Sequence, residues 1–228
     1  MHLTAKKFLF VPILAGSLLF GGCHTTSAHG PLGTRVDETL LQYASTSNRA
    51  KVADAQHAHD AMHQELLTAQ REVSDAKGKL AVADESLTVA KAEFDRARVA
   101  AEVDASGKGA EDVRARRQAV RDAEAEVLAR KLDIDVAEHK VEVAQQKCDL
   151  ALAKVDLAAA EAVAATERKD AQKVVVADFE RAVRAEEADV KVAEVRLEQA
   201  QRDAEAGMEA RQQRNRELAE RDEQRAGG

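Results

Sequence analysis

The sequence predicts an all-α protein, a long antiparallel coiled-coil hairpin, and three observations predict it. Val73, Leu80, Leu87 and Phe94 stand seven residues apart, each followed three residues later by alanine at 76, 83, 90 and 97. A second frame runs through Val113, Val120, Val127, Ile134, Val141, Cys148 and Val155. Helix breakers are scarce: no proline follows Pro31, and the internal glycines after Gly33 are Gly78, Gly107, Gly109 and Gly207. A strict seven-residue apolar repeat keeps one stripe of a slightly underwound helix facing a partner helix, which is coiled-coil packing and not a globular core.

Residues 1–22 read as a secretory signal. Lys6 and Lys7 precede an apolar run from Phe8 to Phe20, interrupted by Pro12 and short of the roughly 20 residues that span a bilayer. The run ends Leu19-Phe20-Gly21-Gly22-Cys23, with Phe20 where leucine is usual. This ending resembles the lipobox of bacterial lipoproteins, and the resemblance implies cleavage before Cys23, acylation of that cysteine by palmitate-class chains, and anchoring of the mature N-terminus. The alternative is an ordinary secretory signal cut after Ala28. Each buried methylene of an acyl chain contributes roughly 0.8 kcal/mol, so more than one chain makes a stable anchor. Residue 24 is His and not Asp, which in the enterobacterial sorting pattern implies delivery to the outer membrane, facing the periplasm.

Residues 23–36 are small, polar and Gly/Pro-bearing, the composition of a flexible tether. The first long helix is expected over 37–104, with Asp37 as its N-cap and a seam running back through Leu66, Ala69, Met62, His59, Ala55 and Val52. Residues 105–109, around Gly107 and Gly109, are the one paired-glycine turn, and a short turn between long helices returns the chain antiparallel. Alanine at alternate core positions allows close approach of the backbones, while Val, Leu and Phe supply buried area.

The second helix is expected over 110–222, Glu111 and Asp112 complementing its N-terminal dipole, with residues 223–228 a disordered tail and the polar stretch from Arg211 onward frayed. Its frame passes through Ala162, Val176, Val183, Val190 and Leu197 without slipping, yet Thr166 to Lys173 is polar. An uninterrupted helix of that length would overhang the first by several tens of ångströms. Three outcomes stay open: a bend near 166–173 with a third helix folded back, pairing of the overhang with another molecule, or one continuous helix. A further apolar stripe, Val82 and Val89 on the first helix with Val136, Val143, Leu150 and Leu157 on the second, favours a third helix in cross-section, from the tail or from a second subunit. Four i,i+4 ion pairs in the favourable order, Glu126/Arg130, Glu180/Arg184, Glu187/Lys191 and Glu198/Arg202, support helicity by a few tenths of a kcal/mol each.

Composition excludes several classes of function. A third of the residues are charged, the net charge is −7 and both signs are interleaved, so no basic field for nucleic acid exists. Outside the signal the aromatics are Tyr43, Phe94 and Phe179, too few for a compact domain of this length. No Ser/His/Asp arrangement, phosphate loop or nucleophile elbow occurs, so neither an enzyme nor a cofactor is expected. His57, His59 and His63 cluster on the first helix, and His59/His63 have the i,i+4 spacing of two metal ligands. No cysteine or carboxylate at fixed spacing completes a site, so no metal is assigned. Cys148 reads as a small seam residue, open to cross-linking two chains in an oxidising compartment. Lys108, Arg114, Arg116, Arg117 and Arg121 make the hairpin tip basic, a solvated surface or a contact for an anionic envelope polymer.

The lipobox followed by an Ala/Val heptad helix is similar in plan to the murein lipoprotein class, which implies a helical bundle between membrane and peptidoglycan. That class ends in a lysine for covalent attachment, whereas this chain ends Arg225-Ala226-Gly227-Gly228. The hairpin from about Val52 to Ala162 looks like that of periplasmic adaptor proteins of efflux and secretion systems, without their flanking strand-rich segments. The expected role is a lipid-anchored, non-catalytic spacer, scaffold or docking rod of the cell envelope. Its expected partners are the membrane, a second copy or another coiled-coil envelope protein, and peptidoglycan. The alternative is a hairpin adaptor subunit of an envelope transport, secretion or motility assembly.

Overall fold

The computed structural model describes Val36, residues 38–103 and residues 109–226. All belong to the unit 34–228, the larger of the two into which the chain divides, and that unit is described by itself. The expected signal, the lipobox-like segment and most of the expected tether fall outside the described residues, as does most of the expected turn, at 104–108. Among the described residues there is no strand. A short 3-10 helix, Glu38–Tyr43, leads into α1 (Thr46–Val103), α2 (Gly109–Ala164), a second 3-10 turn at Ala171–Lys173, and α3 (Val176–Ala226).

The heptad seam of α1 is the side that α2 covers. Val52, Leu66, Ala76, Ala83 and Ala97 are buried, Val73, Leu80, Leu87, Ala90 and Phe94 are half-buried, and positions off the seam are nearly all exposed. Alanine is the better-hidden partner in the layers of Val73, Leu80 and Phe94, as expected where two backbones approach closely, while Leu66 and Val52 are the buried members of theirs. Cross-helix pairs fix the antiparallel sense, since partners descend α1 as they climb α2. Arg116 meets Glu93, Lys91 meets Glu124, Lys77 meets Glu138, and Lys140 meets Glu72.

The first helix begins nine residues later than expected, at Thr46 and not at 37. Ser45 supplies the cap, its Oγ accepting from the Asn48 backbone N–H at 3.2 Å. The preceding residues turn aside because Val36, Leu40, Leu41 and Ala44 are needed elsewhere. They pack with Val52 against Ala159, Ala160, Ala162, Val163, Ala171, Val174, Val176 and Phe179, in a core where α1, α2 and α3 meet.

The second helix does not continue to 222. It ends at Ala164, and the chain folds back as a third helix, the first of the three outcomes left open by the sequence. The corner is built without glycine or proline. Thr166 donates both its backbone N–H and its Oγ1–H to the Val163 carbonyl, at 2.9 and 2.7 Å, closing the helix end. Ala171, only 2% exposed, plugs the corner, and Val174 is extended, with φ −82° and ψ 113°. Arg168 lies over the Tyr43 ring at 3.9 Å, tying the corner to the N-terminal 3-10 helix by a cation–π contact.

α2 is the central helix. It packs against both α1 and α3, while α1 and α3 scarcely approach one another. The further apolar stripe is therefore only half covered. On α2, Val143 is buried and Val136, Leu150 and Leu157 are half-buried, but on α1 Val82 and Val89 remain 65% and 53% exposed. α3 stays helical through Ala226, so the tail from Arg211, and the segment from 223 as far as 226, is not the frayed end that its polarity suggested. Its ion pairs with α2 hold it, as described below. Three of the four anticipated i,i+4 pairs form; Glu187/Lys191 is the exception.

The two internal helical glycines differ in their surroundings. A Cβ on Gly78 would meet nothing within 4 Å, whereas one on Gly207 would sit 3.3 Å from Leu132 Cδ1 across the α2–α3 contact. Gly78→Ala should stabilise the protein by about 0.5–1 kcal/mol in urea unfolding, through lower unfolded-chain entropy. Gly207→Ala should gain less, or lose, because Leu132 must move. Equal gains at both positions would contradict the seating of α3 against Leu132.

Candidate functional site

Two groups of side chains stand out from the seams, one towards the corner end of the hairpin and one at the tip. The first contains two of the three histidines singled out in the sequence. His57 is exposed, whereas His59 and His63 are half-buried on the α2-facing side of α1, their ring centroids 6.5 Å apart and the planes 29° from parallel. His59 Nε2 lies 3.6 Å from Cys148 Sγ on α2, and its Nδ1 lies 3.7 Å from Asp60 Oδ1.

The structure thus places Cys148 beside His59, a pairing that the sequence left unread because each residue was weighed within its own helix. Among the described residues no group of three His, Cys, Asp or Glu side chains is arranged to hold a metal ion. The thiol–imidazole contact is instead a polar layer in an apolar seam. Such a layer favours one register of two helices over the registers seven residues away, where a polar ring would face only Val or Ala. Cys148 is 3% exposed. Its seam position is used within the chain, so a cross-link between two folded copies through this sulfur would require the α1–α2 contact to open.

The tip group collects residues from all three helices. Arg117 and Arg121 of α2 grip Asp222 of α3, Arg117 Nη1 to Oδ1 at 3.2 Å and Arg121 Nη1 to Oδ2 at 2.7 Å. Arg117 also lies over the Phe94 ring of α1, 5.8 Å from its centroid. Arg116 pairs with Glu93 at 2.6 Å, and Arg114 Nε donates to the Ala110 carbonyl at 3.3 Å. Lys108 lies outside the described residues. Hence three of the four described tip arginines neutralise acids of this same chain, which corrects the picture of a free basic tip: Asp222, over a hundred residues away, comes back to meet them. A groove of about 520 Å³ between the helix ends is lined by Arg98, Glu102, Val113, Arg114, Arg117 and Asp222.

These pairs also set the local electrostatics. The hydrogen bond from Arg121 holds the Asp222 carboxyl below the usual carboxylate range; burial opposes this, and the charges of Arg117 and Arg121 reinforce it. At the middle of the α2–α3 contact, burial pushes Glu142 up, but hydrogen bonds from Arg196 and His139, with their charges, outweigh it and leave Glu142 lowered. Lys147 reaches Glu194 at 3.2 Å and Arg211 reaches Glu124 at 2.8 Å along the same contact.

Two outcomes follow for solution behaviour. A carboxyl whose folded pKa is depressed contributes stability that is complete above its unfolded value, about 3.9 for Asp, and is lost as pH falls through the lower folded value. The stability gap between wild type and Asp222→Asn should therefore be constant from neutral pH down to about 5 and close below about 4 in denaturant titrations. A gap independent of pH would show that Asp222 is not held as a charged partner of the arginines. For the thiol, labelling of Cys148 by an aromatic disulfide reagent should be about 100-fold slower in the folded chain than in denaturant, since it waits on local opening. Comparably fast labelling in both states would mean that the seam is open. No protein-family model, curated protein or solved structure matches the chain.

Proposed function

We propose that this chain is a lipid-anchored, non-catalytic coiled-coil protein of the bacterial cell envelope, working as a spacer, scaffold or docking rod. The observation that carries the reading is a pair of features at opposite ends of the sequence's logic. The segment Leu19 to Cys23 has the lipobox pattern, and the body that follows is three helices of nearly equal length. At 1.5 Å per residue, α1, α2 and α3 measure about 87, 84 and 77 Å, so the body is a rod segment of about 80 Å.

The direction of the rod suits this role. Val36, where the tether ends, is buried in the core at the α2–α3 corner, so an anchored chain would carry its hairpin tip at the far end. No helix among the described residues is long and apolar enough to cross a membrane. His24 supports outer-membrane delivery with the body in the periplasm. The bare Val82 and Val89 face of α1 supports association with a second copy or another coiled-coil envelope protein, and peptidoglycan is a further partner for a rod of this length. The interleaved charges speak against nucleic acid. Adaptor-type docking through the tip draws less support, because Arg116, Arg117 and Arg121 are already engaged by Glu93 and Asp222.

Expression of the full chain in a bacterial host, with mass spectrometry of the mature N-terminus and membrane fractionation, tests the anchor. The expected result is an acylated Cys23 at residue one of the mature protein and recovery in the outer-membrane fraction, with Cys23→Ser left unacylated and released from it. An unmodified mature end beyond residue 23, such as one after Ala28, would overturn the lipoprotein reading.

A further inference from the structure

The contact between α2 and α3 changes character along its length. From Val183 to Ala200, α3 buries Val183, Val190, Ala193 and Ala200. Beyond Ala200 no described residue of α3 is buried. The positions turned towards α2 there are half-buried Ala204, Gly207, Met208, Arg211, Asn215, Ala219 and Asp222, with polar groups where a seam would carry Val or Leu. Besides the approach of Gly207 to Leu132 and the half-buried Ala204, Met208 and Ala219, this half is held by three ion pairs: Arg211 to Glu124, and Asp222 to Arg117 and to Arg121.

The polar half is also imperfectly satisfied. Arg211 Nε and Asn215 Oδ1 are buried without a protein hydrogen-bond partner. Each such group carries a desolvation cost that offsets part of what the ion pairs return. Gly207 stands at the junction of the halves, the residue of α3 with the greatest backbone freedom. One half is thus held by apolar burial, which salt does not weaken, and the other by charges that salt screens over about 8–10 Å at physiological strength and about 3 Å at 1 M.

We propose that α3 beyond Gly207 is a detachable strap, seated through Asp222 on Arg117 and Arg121, and that its release uncovers these arginines at the hairpin tip. In the seated state Arg121 is only 13% exposed. In the released state α3 still docks through Val183 to Ala200, while the tip presents two guanidiniums to a carboxylate-bearing ligand, the chemistry that Asp222 itself supplies. The strap is an autoinhibitory contact for the basic tip. It is independent of how the chain is anchored.

Hydrogen exchange by mass spectrometry on the full-length protein, in dilute buffer and in 0.5–1 M NaCl, tests the strap. Amides from 207 to 226 should exchange about tenfold faster in high salt while those from 183 to 200 change little. Asp222→Asn should raise exchange of the strap in dilute buffer and increase phenylglyoxal labelling of Arg121. The double change Arg211→Leu with Asn215→Leu extends the apolar seam and should slow strap exchange and reduce its salt dependence, since the Asp222 pairs remain. Uniform exchange along α3 in both buffers would overturn the proposal, as would a double variant that exchanges like wild type.

Discussion

The constraint on which this architecture rests is that α2 carries apolar residues on two sides and must be covered on both. A helix with one stripe is satisfied by one partner; a helix with two needs flanking helices, and here both come from its own chain. α1 covers the seam from Val127 to Cys148, and α3 covers the side that includes Val143. From that requirement follow the break after Ala164, the return of the chain along α2, and the arrival of Asp222 beside Arg117 and Arg121. The buried corner residues Ala160, Val163 and Ala171, none more than 2% exposed, make the reversal cost little, since turning the chain there hides apolar surface.

Charge pairs decorate this arrangement more than they create it. Most ion pairs among the described residues join side chains that are a third or more exposed, where each is worth a fraction of a kcal/mol. Their arrangement still selects. The α1–α2 pairs Lys77/Glu138 and Lys140/Glu72 agree on a single antiparallel register, and the half-buried His59–Cys148 layer agrees with them. A slip by one heptad would lose all three together, so weak terms that concur specify register even where apolar layers of Ala and Val are nearly interchangeable.

Periodicity made the hairpin legible because the main seam of α1 is unbroken, its residues from Val52 to Ala97 all turned inward. The start of α1 was not legible in the same way. Asp37 has the chemistry of an N-cap, but Ser45 takes that role because Leu40 and Leu41 are drawn into the corner core, a contact between residues more than a hundred apart in sequence. The corner at 165–175 carried only its polarity as a signal, since Thr166 and the extended Val174 turn the chain without any residue that demands a turn. Tip electrostatics were misread for a related reason. The basic run at 114–121 is local and visible, whereas its acid partner Asp222 becomes a neighbour only after the fold-back. Cys148 with His59 lay between these cases, recoverable once the register was known and invisible before.

Polarity graded along the body gives its two ends different physical properties. Where Val36, Val52, Val163 and Phe179 gather, apolar side chains from four segments exclude water, and opening that end means exposing all of them together. At the hairpin tip the contacts are Arg116 with Glu93, and Arg117 and Arg121 with the one carboxylate of Asp222, charged groups that regain hydration when they part. Cooperativity therefore belongs to the corner, and local freedom to the tip. The gradient follows from where the sequence spends its few large apolar residues: Leu40, Leu41, Val163 and Phe179 at one end, and Phe94 with exposed Val99 and Val103 near the other.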